Sequence, residues 1–436
     1  MIYENTLEFA KQQDAIDVLK KYRDKFYFPM MHGREVVYFT GNSLGLQPKA
    51  TQDYVLNELE DWATFGVEGH FHARKPWLSY HEQFAEPVSK IVGAKPEEIV
   101  IMNQLTVNLH LLMVSFYRPT KEHYKILCEA KAFPSDQYAL QSQVKFHGYS
   151  PEDAIIEVSP RDGEVCIRHE DILDAIEKNK NSLALIMIGG VNYYNGQVFD
   201  MKGITEAGHK AGASVGFDLA HAAGNLKLQL HDWNVDFACW CTYKYLNSGP
   251  GSVGGVFIHE RNLNDPNMPR FAGWWGHDKQ TRFKMGNEFI PMPTAEAWQM
   301  SNAPVLSMAA HKASVDIFNE VGMDALINKA EKLTGYLEFV VDEINKTQVS
   351  SSKYQDSGNK NQDGFLEIIT PRDKKQRGCQ LSIVAHGRGK ELFNKLTEAG
   401  VIADWREPNV IRCAPVPLYN SFEDVYRFGE ILKAAL

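Results

Sequence analysis

Between residues 98 and 259 the chain repeats one pattern: a short run that is apolar at nearly every position, then a polar turn or an amphipathic helix. The runs are EIVIM (98–102), YKILC (124–128), SLALIMI (182–188), ASVGF (213–217), VDFACW (235–240) and GGVFIH (254–259). Helical spacing of apolar residues predicts helices at 106–117, at 134–147 opening on Pro134, and at 200–211. A strand alternates apolar and polar residues when one face meets water. A strand that is apolar throughout has both faces covered, which is the signature of a mostly parallel sheet packed between helices. The pattern predicts an α/β architecture with a large, mostly parallel-sheet domain.

The flanking segments read differently. The first 25 residues read as a helix, Val36 to Thr40 as a short strand, and Pro48 as the start of a helix reaching about Phe65. After Pro304 helices are predicted over about 305–345. A polar stretch at 347–364 reads as an exposed loop, and FLEIIT (365–370), QLSIVA (380–385) and NVIRCA (409–414) read as strands beside helices at 390–399 and at the end. This predicts a smaller α+β domain at 305–436, a large domain at 51–304, and an N-terminal segment at 1–50 packing with the small domain.

The chain is long enough, at 436 residues, to bury a core without disulfide or metal staples. Its net charge of -9 argues against a nucleic-acid partner, which calls for a basic face. No run of apolar residues is long enough for a membrane span. The N-terminus lacks the basic and apolar regions of a signal peptide. Cys128, Cys166, Cys239, Cys241, Cys379 and Cys413 are scattered, and most sit in apolar runs. That pattern predicts free thiols in a reducing, cytoplasmic setting, with no bound metal.

Chemistry concentrates where two of the buried runs end. In FDLAHAAGN (217–225), Asp218 directly follows an apolar run and His221 lies three residues on. Functional groups in open α/β sheets sit at the carboxyl ends of strands, although an aspartate there can also cap the next segment. In CWCTYKYLNSGPGSVGG (239–255), Lys244 follows the next run, with glycines that let a backbone approach a ligand. A desolvated lysine can form Schiff bases, whereas most lysines are solvated surface groups.

An acidic residue after one strand and a lysine after the next resemble the fold-type I enzymes that use pyridoxal 5'-phosphate (PLP). Further segments narrow the resemblance: GNSLGLQP (41–48), EGHFHARKPW (68–77), NQLTVNLHLL (103–112), FPSDQYA (133–139), AGWWGH (272–277) and VIRCAPVPLYNS (410–421). Together they look like the kynureninase family, and the likeness runs from about residue 35 to the end. One departure is GGVNYYNGQ (189–197), where the family often carries a small hydroxyl residue near Gly189.

The resemblance implies the PLP-dependent transferase fold and hydrolysis of L-kynurenine, or its 3-hydroxy form, to anthranilate or 3-hydroxyanthranilate and L-alanine. It places this activity in tryptophan catabolism and the supply of NAD precursors. It assigns Lys244 the Schiff base, Asp218 the pyridinium nitrogen, His221 the neighbourhood of the ring hydroxyl, Phe133 the stacking on the ring, and Asp136 a second acidic lining. Leu105 and Thr106 hold the phosphate, Tyr243 lies on the phosphate side and serves proton transfer, and Trp274 comes from the second subunit of a homodimer that shares its sites. Arg412 takes the substrate carboxylate, although a buried arginine can also find its carboxylate inside the protein. His70 and Asn302 face the aromatic end of the substrate, with His72 a competitor for His70, and Asn302 also counts among the residues around the cofactor. The alternatives are a cysteine desulfurase-like lyase of the same fold, an aminotransferase, or a PLP-binding relative without turnover. Against the desulfurases, Tyr243 precedes Lys244 where they usually carry histidine, and Cys413 lies in an apolar run instead of a mobile loop.

Overall fold

The computed structural model describes residues 2–265, 267–351 and 365–436. The chain forms two compact units, the larger comprising Ala50–Val191 and Phe199–Glu320, the smaller Met1–Lys49, Asn192–Val198 and Val321–Leu436.

Seven strands build the sheet of the larger unit: β1 (Ile99–Met102), β2 (Lys125–Glu129), β3 (Ile155–Val158), β4 (Leu183–Gly189), β5 (Ser214–Asp218), β6 (Phe237–Cys241) and β7 (Gly254–Ile258). Their spatial order is β1-β7-β6-β5-β4-β2-β3. Pairings from β6 through β3 are all parallel, while β7 runs antiparallel to both β1 and β6. The reversal has a local cause. No helix separates β6 from β7, and a parallel return needs a crossover that this loop does not supply.

All six apolar runs become strands: β1, β6 and β7 are buried at every position, and β2 and β5 at every position but the first. The sequence reading placed no element between 150 and 180, where the structure has β3 and the helix His169–Asn179. The edge strand β3 pairs only with β2 and carries Glu157 on an exposed position, so it shows no continuous apolar run. The sequence also overextends the first helix. It spans Leu7–Ile16, because the Asp17 carboxylate accepts the Leu19 N–H at 2.9 Å and turns the chain into a separate 3₁₀ turn at Lys20–Lys25. The helix expected from Pro48 begins at Thr51, and the early strand shortens to Val37–Tyr38.

The larger unit's core packs Leu109, Leu112, Met113 and Phe116 of the helix Leu105–Phe116 against the sheet, with Phe116 stacked on Phe237 at 4.6 Å between ring centroids. Gly216 pairs in register with Phe237, and a Cβ at 216 would meet that ring at 2.1 Å. Gly216→Ala therefore overpacks a strand in the middle of the sheet. It should lower unfolding stability by about 1–3 kcal/mol, read as an earlier urea midpoint with an unchanged slope.

In the smaller unit four antiparallel strands lie in the order Leu366–Ile368, Leu381–Ala385, Val410–Cys413, Asp404–Arg406. The helices Leu7–Ile16, Met323–Ser351 and Phe422–Ala435 contribute Phe9, Tyr336, Val340, Val425 and Phe428 to one core with these strands. Of the polar stretch expected as a loop, 347–351 continues the helix Met323–Ser351 and 352–364 lies outside the described residues.

Candidate active site

Strand order places the site. The chain steps from β2 outward to β3 and then returns to the other side of β2 as β4, so β2 and β4 flank the point where the order reverses. Carboxyl ends on either side of such a point diverge and leave a crevice. The last residues there are Glu129 of β2, Gly189 of β4 and Asp218 of β5, with Gly189 and Asp218 opposite one another in register.

Lys244 comes from the loop after β6, and backbone bonds hold that loop. Asn247 donates to the Lys244 carbonyl at 3.0 Å and Ser248 to the Thr242 carbonyl at 3.1 Å. The Ser248 hydroxyl meets Nδ1 of the fully buried His311 at 2.6 Å. Burial holds the His311 pKa down at about 3, so this anchor is a neutral ring at any working pH. Thus fixed, Lys244 Nζ lies 3.0 Å from His221 Nε2, 5.9 Å from the Phe133 ring centroid and 6.0 Å from that of Tyr243.

Asp218 is buried and accepts the Ala220 N–H at 2.7 Å. It also lies within hydrogen-bonding reach of Asp136, in the first turn of the helix Pro134–Phe146. Burial raises the pKa of both carboxyls, and the repulsion between them raises Asp136 further. Asp136 Oδ1 is buried without a hydrogen-bond partner, a polar atom that a protonated ring nitrogen nearby would satisfy. Tyr243 sits within hydrogen-bonding reach of the buried Cys241 thiol, and burial raises both of their pKa values.

The helix Leu105–Phe116 opens with Leu105 and Thr106, and its N-cap, Gln104, offers the first-turn amides no side-chain bond. Gln104 donates to the Gly251 carbonyl instead, at 3.1 Å. Thr106 Oγ1 meets Ser135 Oγ at 2.6 Å, tying this helix start to the one that carries Asp136. Uncapped amides at a helix start suit a phosphate. An anionic group for a ring nitrogen, a half-exposed aromatic face at Phe133, a lysine and a phosphate-ready helix end together fit PLP.

The other predicted residues have separate surroundings. His70 is half-buried, donates a ring N–H to the Val67 carbonyl at 2.9 Å and packs edge-on against Trp77. His72 is exposed, 3.8 Å from Glu68. Asn302 is exposed and lines a cavity of about 400 Å³ with Asn103, Gln104, Val107 and Met300. The half-exposed Trp274 donates its indole N–H to the Arg282 carbonyl at 3.1 Å. In the smaller unit Arg412 is fully buried, donating to the Tyr193 carbonyl at 2.6 Å and pairing with Asp404.

Sequence reasoning missed Glu129. Its carboxylate accepts the Gly189 N–H on both oxygens, at 3.2 and 3.3 Å. The signal was available, because Glu129 ends a buried strand just as Asp218 does.

The model of the aminotransferase class-V family matches residues 37–363, and that of the kynureninase C-terminal domain matches 326–432. A kynureninase of Flavobacterium psychrophilum is 61% identical over 436 residues, covering 100% of this chain and 99% of that one. Kynureninases of Myxococcus xanthus and Nematostella vectensis are 55% and 48% identical, covering 99% and 98% of this chain and 98% and 93% of their own. Among solved structures, a cysteine desulfurase from Thermococcus onnurineus NA1 superposes with a TM-score of 0.73 at 16% identity, covering 95% of this chain and 97% of that one. The cystine C–S lyase C-DES, in complex with cysteine persulfide, gives 0.72 at 15%, covering 91% and 97%. These likenesses show the fold alone; the class-V aminotransferase match makes it the PLP-dependent fold type I. Identity of this height across the whole length decides the rest: the chain belongs to the kynureninase family.

Proposed function

We propose that this chain hydrolyses L-kynurenine, with PLP as cofactor, to anthranilate and L-alanine, and that the residues gathered at the carboxyl ends of β2, β4 and β5 carry the reaction. Lys244 poised 3.0 Å from His221 beside the Asp136–Asp218 pair is the observation that carries the reading. Bound there, PLP supplies an electron sink for the pair left behind when a bond to the substrate α-carbon breaks. Lys244 would hold the cofactor through its amine and, with that amine free, would take the substrate α-proton. His221 would stand beside the ring hydroxyl, and its contact with Lys244 fixes where the amine points. Asp218 would keep the ring nitrogen protonated, with Asp136 in support. Phe133 would stack on the ring. Leu105 and Thr106 hold the phosphate through the start of their helix. Tyr243 serves proton transfer during addition of water to the γ-carbonyl and departure of the aromatic product.

Arg412 is the proposed partner of the substrate α-carboxylate. Asp404 and the Tyr193 carbonyl hold its guanidinium at a fixed angle, which suits a planar donor meant for a carboxylate. His70 and Asn302 are proposed at the aromatic end, where either can bond a ring amine or hydroxyl, and Asn302 also lies near the cofactor. A homodimer with shared sites, Trp274 crossing to the partner's cofactor phosphate, and a cytoplasmic setting complete the proposal. Among the described residues no helix is long and apolar enough to cross a membrane.

Anthranilate fluorescence on adding L-kynurenine to PLP-loaded protein tests the activity, with 3-hydroxykynurenine run beside it. Product from either supports the proposal. Loss of bound PLP with no product from either, or turnover of cysteine instead, overturns it. His70→Ala and Asn302→Ala should each change the ratio of kcat/KM for the two substrates by about tenfold, one lost hydrogen bond to a ring hydroxyl being worth about 1.4 kcal/mol. Equal losses on both substrates would remove these residues from the aromatic end.

A further inference from the structure

Gly189 has a neighbour that explains its identity. Glu129, one strand away, lays its carboxylate against the Gly189 N–H with both oxygens, and a Cβ at 189 would sit 3.0 Å from Glu129 Oε1. Gly189 stands opposite Asp218 in register, and the next residue, Gly190, donates its N–H to the Asp218 carbonyl at 2.7 Å. Glu129 is thus joined through a two-residue backbone link to the aspartate proposed for the cofactor's ring nitrogen. It is buried, at 5% exposure, and among the described residues no arginine or lysine hydrogen-bonds it.

We propose that Glu129 is a positioning residue whose negative charge, held near the Asp136–Asp218 pair by the Gly189 N–H, raises the proton affinity of that pair and of the ring nitrogen it faces. The groups that act on Glu129 come from every neighbouring element. Asp218 of β5 and Glu157 of β3 repel it, as Asp136 on the helix Pro134–Phe146 is repelled in turn, while the Cys128 thiol adjoins it on β2. Lys244 is the cation of the cluster, and its field falls on Asp136 and Asp218. Burial pushes Glu129 up to about 7, so its charge switches on across neutral pH. Above that pH the added negative charge of Glu129 favours a proton on the ring nitrogen; below it the favour lapses.

This inference rests on the proposed role of Asp218, and two isosteric or near-isosteric variants test it. Glu129→Gln keeps an oxygen on the Gly189 N–H and removes the charge. Glu129→Asp keeps the charge and, one methylene shorter, gives up the two-oxygen clamp. With ¹⁵N-labelled PLP bound, the ring-nitrogen shift is followed across roughly pH 5–9. E129Q should move the midpoint of ring-nitrogen deprotonation down by about one unit, while E129D stays near wild type. The reverse pattern, E129D displaced and E129Q unmoved, would reduce Glu129 to a structural clamp and overturn the proposal, as would two unmoved variants. Apoprotein carrying ¹³C-labelled glutamate gives a readout free of both cofactor and substitution. One carboxyl should titrate near neutral pH by infrared difference spectroscopy, and the signal should vanish in E129Q. Its absence from wild type overturns the proposal. Failure of wild-type protein to bind PLP, with the titrating carboxyl present, would instead strike the reading of Asp218.

Discussion

Lys244→Ala is expected to reduce turnover of L-kynurenine by about 10⁴-fold or more, with the fold intact. Two functions leave with one amine. The group that attaches the cofactor is gone, and so is the base nearest the substrate α-proton. The side chain is held by a loop whose anchors, Thr242, Ser248 and His311, do not depend on Nζ. Circular dichroism of the apoprotein should therefore match wild type, while its thermal midpoint at pH 8 should fall, because the cation facing Asp136 and Asp218 is gone. The absorbance of bound cofactor should shift, because PLP held by Asp218, Phe133 and the helix start alone keeps its free aldehyde. Normal kynurenine turnover in this variant would sink the assignment of Lys244, whatever its geometry.

Asp218→Asn carries the second large effect, and it runs in opposite directions for activity and stability. Asparagine fills the same space and can still accept the Ala220 N–H, but it offers no charge to a ring nitrogen. Loss of a charge partner at a reacting centre should lower kcat by about 10²–10³-fold. The apoprotein should become more stable at pH 8. The sign follows from linkage: Asp136, Asp218 and Glu129 all have folded pKa values raised by burial. The stability such a group contributes is complete below its unfolded pKa and is lost as pH rises through the folded value. For Glu129, raised from 4.5 to about 7, the loss above neutral pH amounts to about 3 kcal/mol. Asp218→Asn removes one such group and relieves Asp136 of its nearest repulsion. Urea unfolding at pH 5 and pH 8 checks the trade. Wild-type apoprotein should weaken between the two more than the variant does, and a variant equal to wild type at both would show that the carboxyl pair stores no such strain.

This strain is the physical cost of the site. Three carboxyls, two closing buried strands and one in the first turn of a helix, oppose folding at working pH, and a cationic ring nitrogen among them would offset the repulsion. Binding a ligand to the folded state alone raises apparent stability by mass action, so PLP should protect the chain against urea more at pH 8 than at pH 5.

Local chemistry along the chain already determined much of this. Unbroken apolar runs can be satisfied only inside a covered sheet, so β1, β2, β4, β5, β6 and β7 and the α/β class were legible in 98–259. Asp218 stood out because it closes such a run with a charge, and Lys244 because it follows the next run within a glycine-rich turn. Spacing could not orient β7, because direction depends on whether the loop after β6 holds a crossover helix. Nor could it show β3, whose edge position leaves polar residues in the strand. The tertiary structure alone decided which strand ends become neighbours. Glu129 and Asp218 are far apart in sequence, and only the insertion of β4 between β2 and β5 sets Gly189 as the link between them. Sequence specifies which groups are too polar for their surroundings; the order of strands in the sheet specifies which of those groups must answer one another, because electrostatic repulsion acts through space and not along the chain.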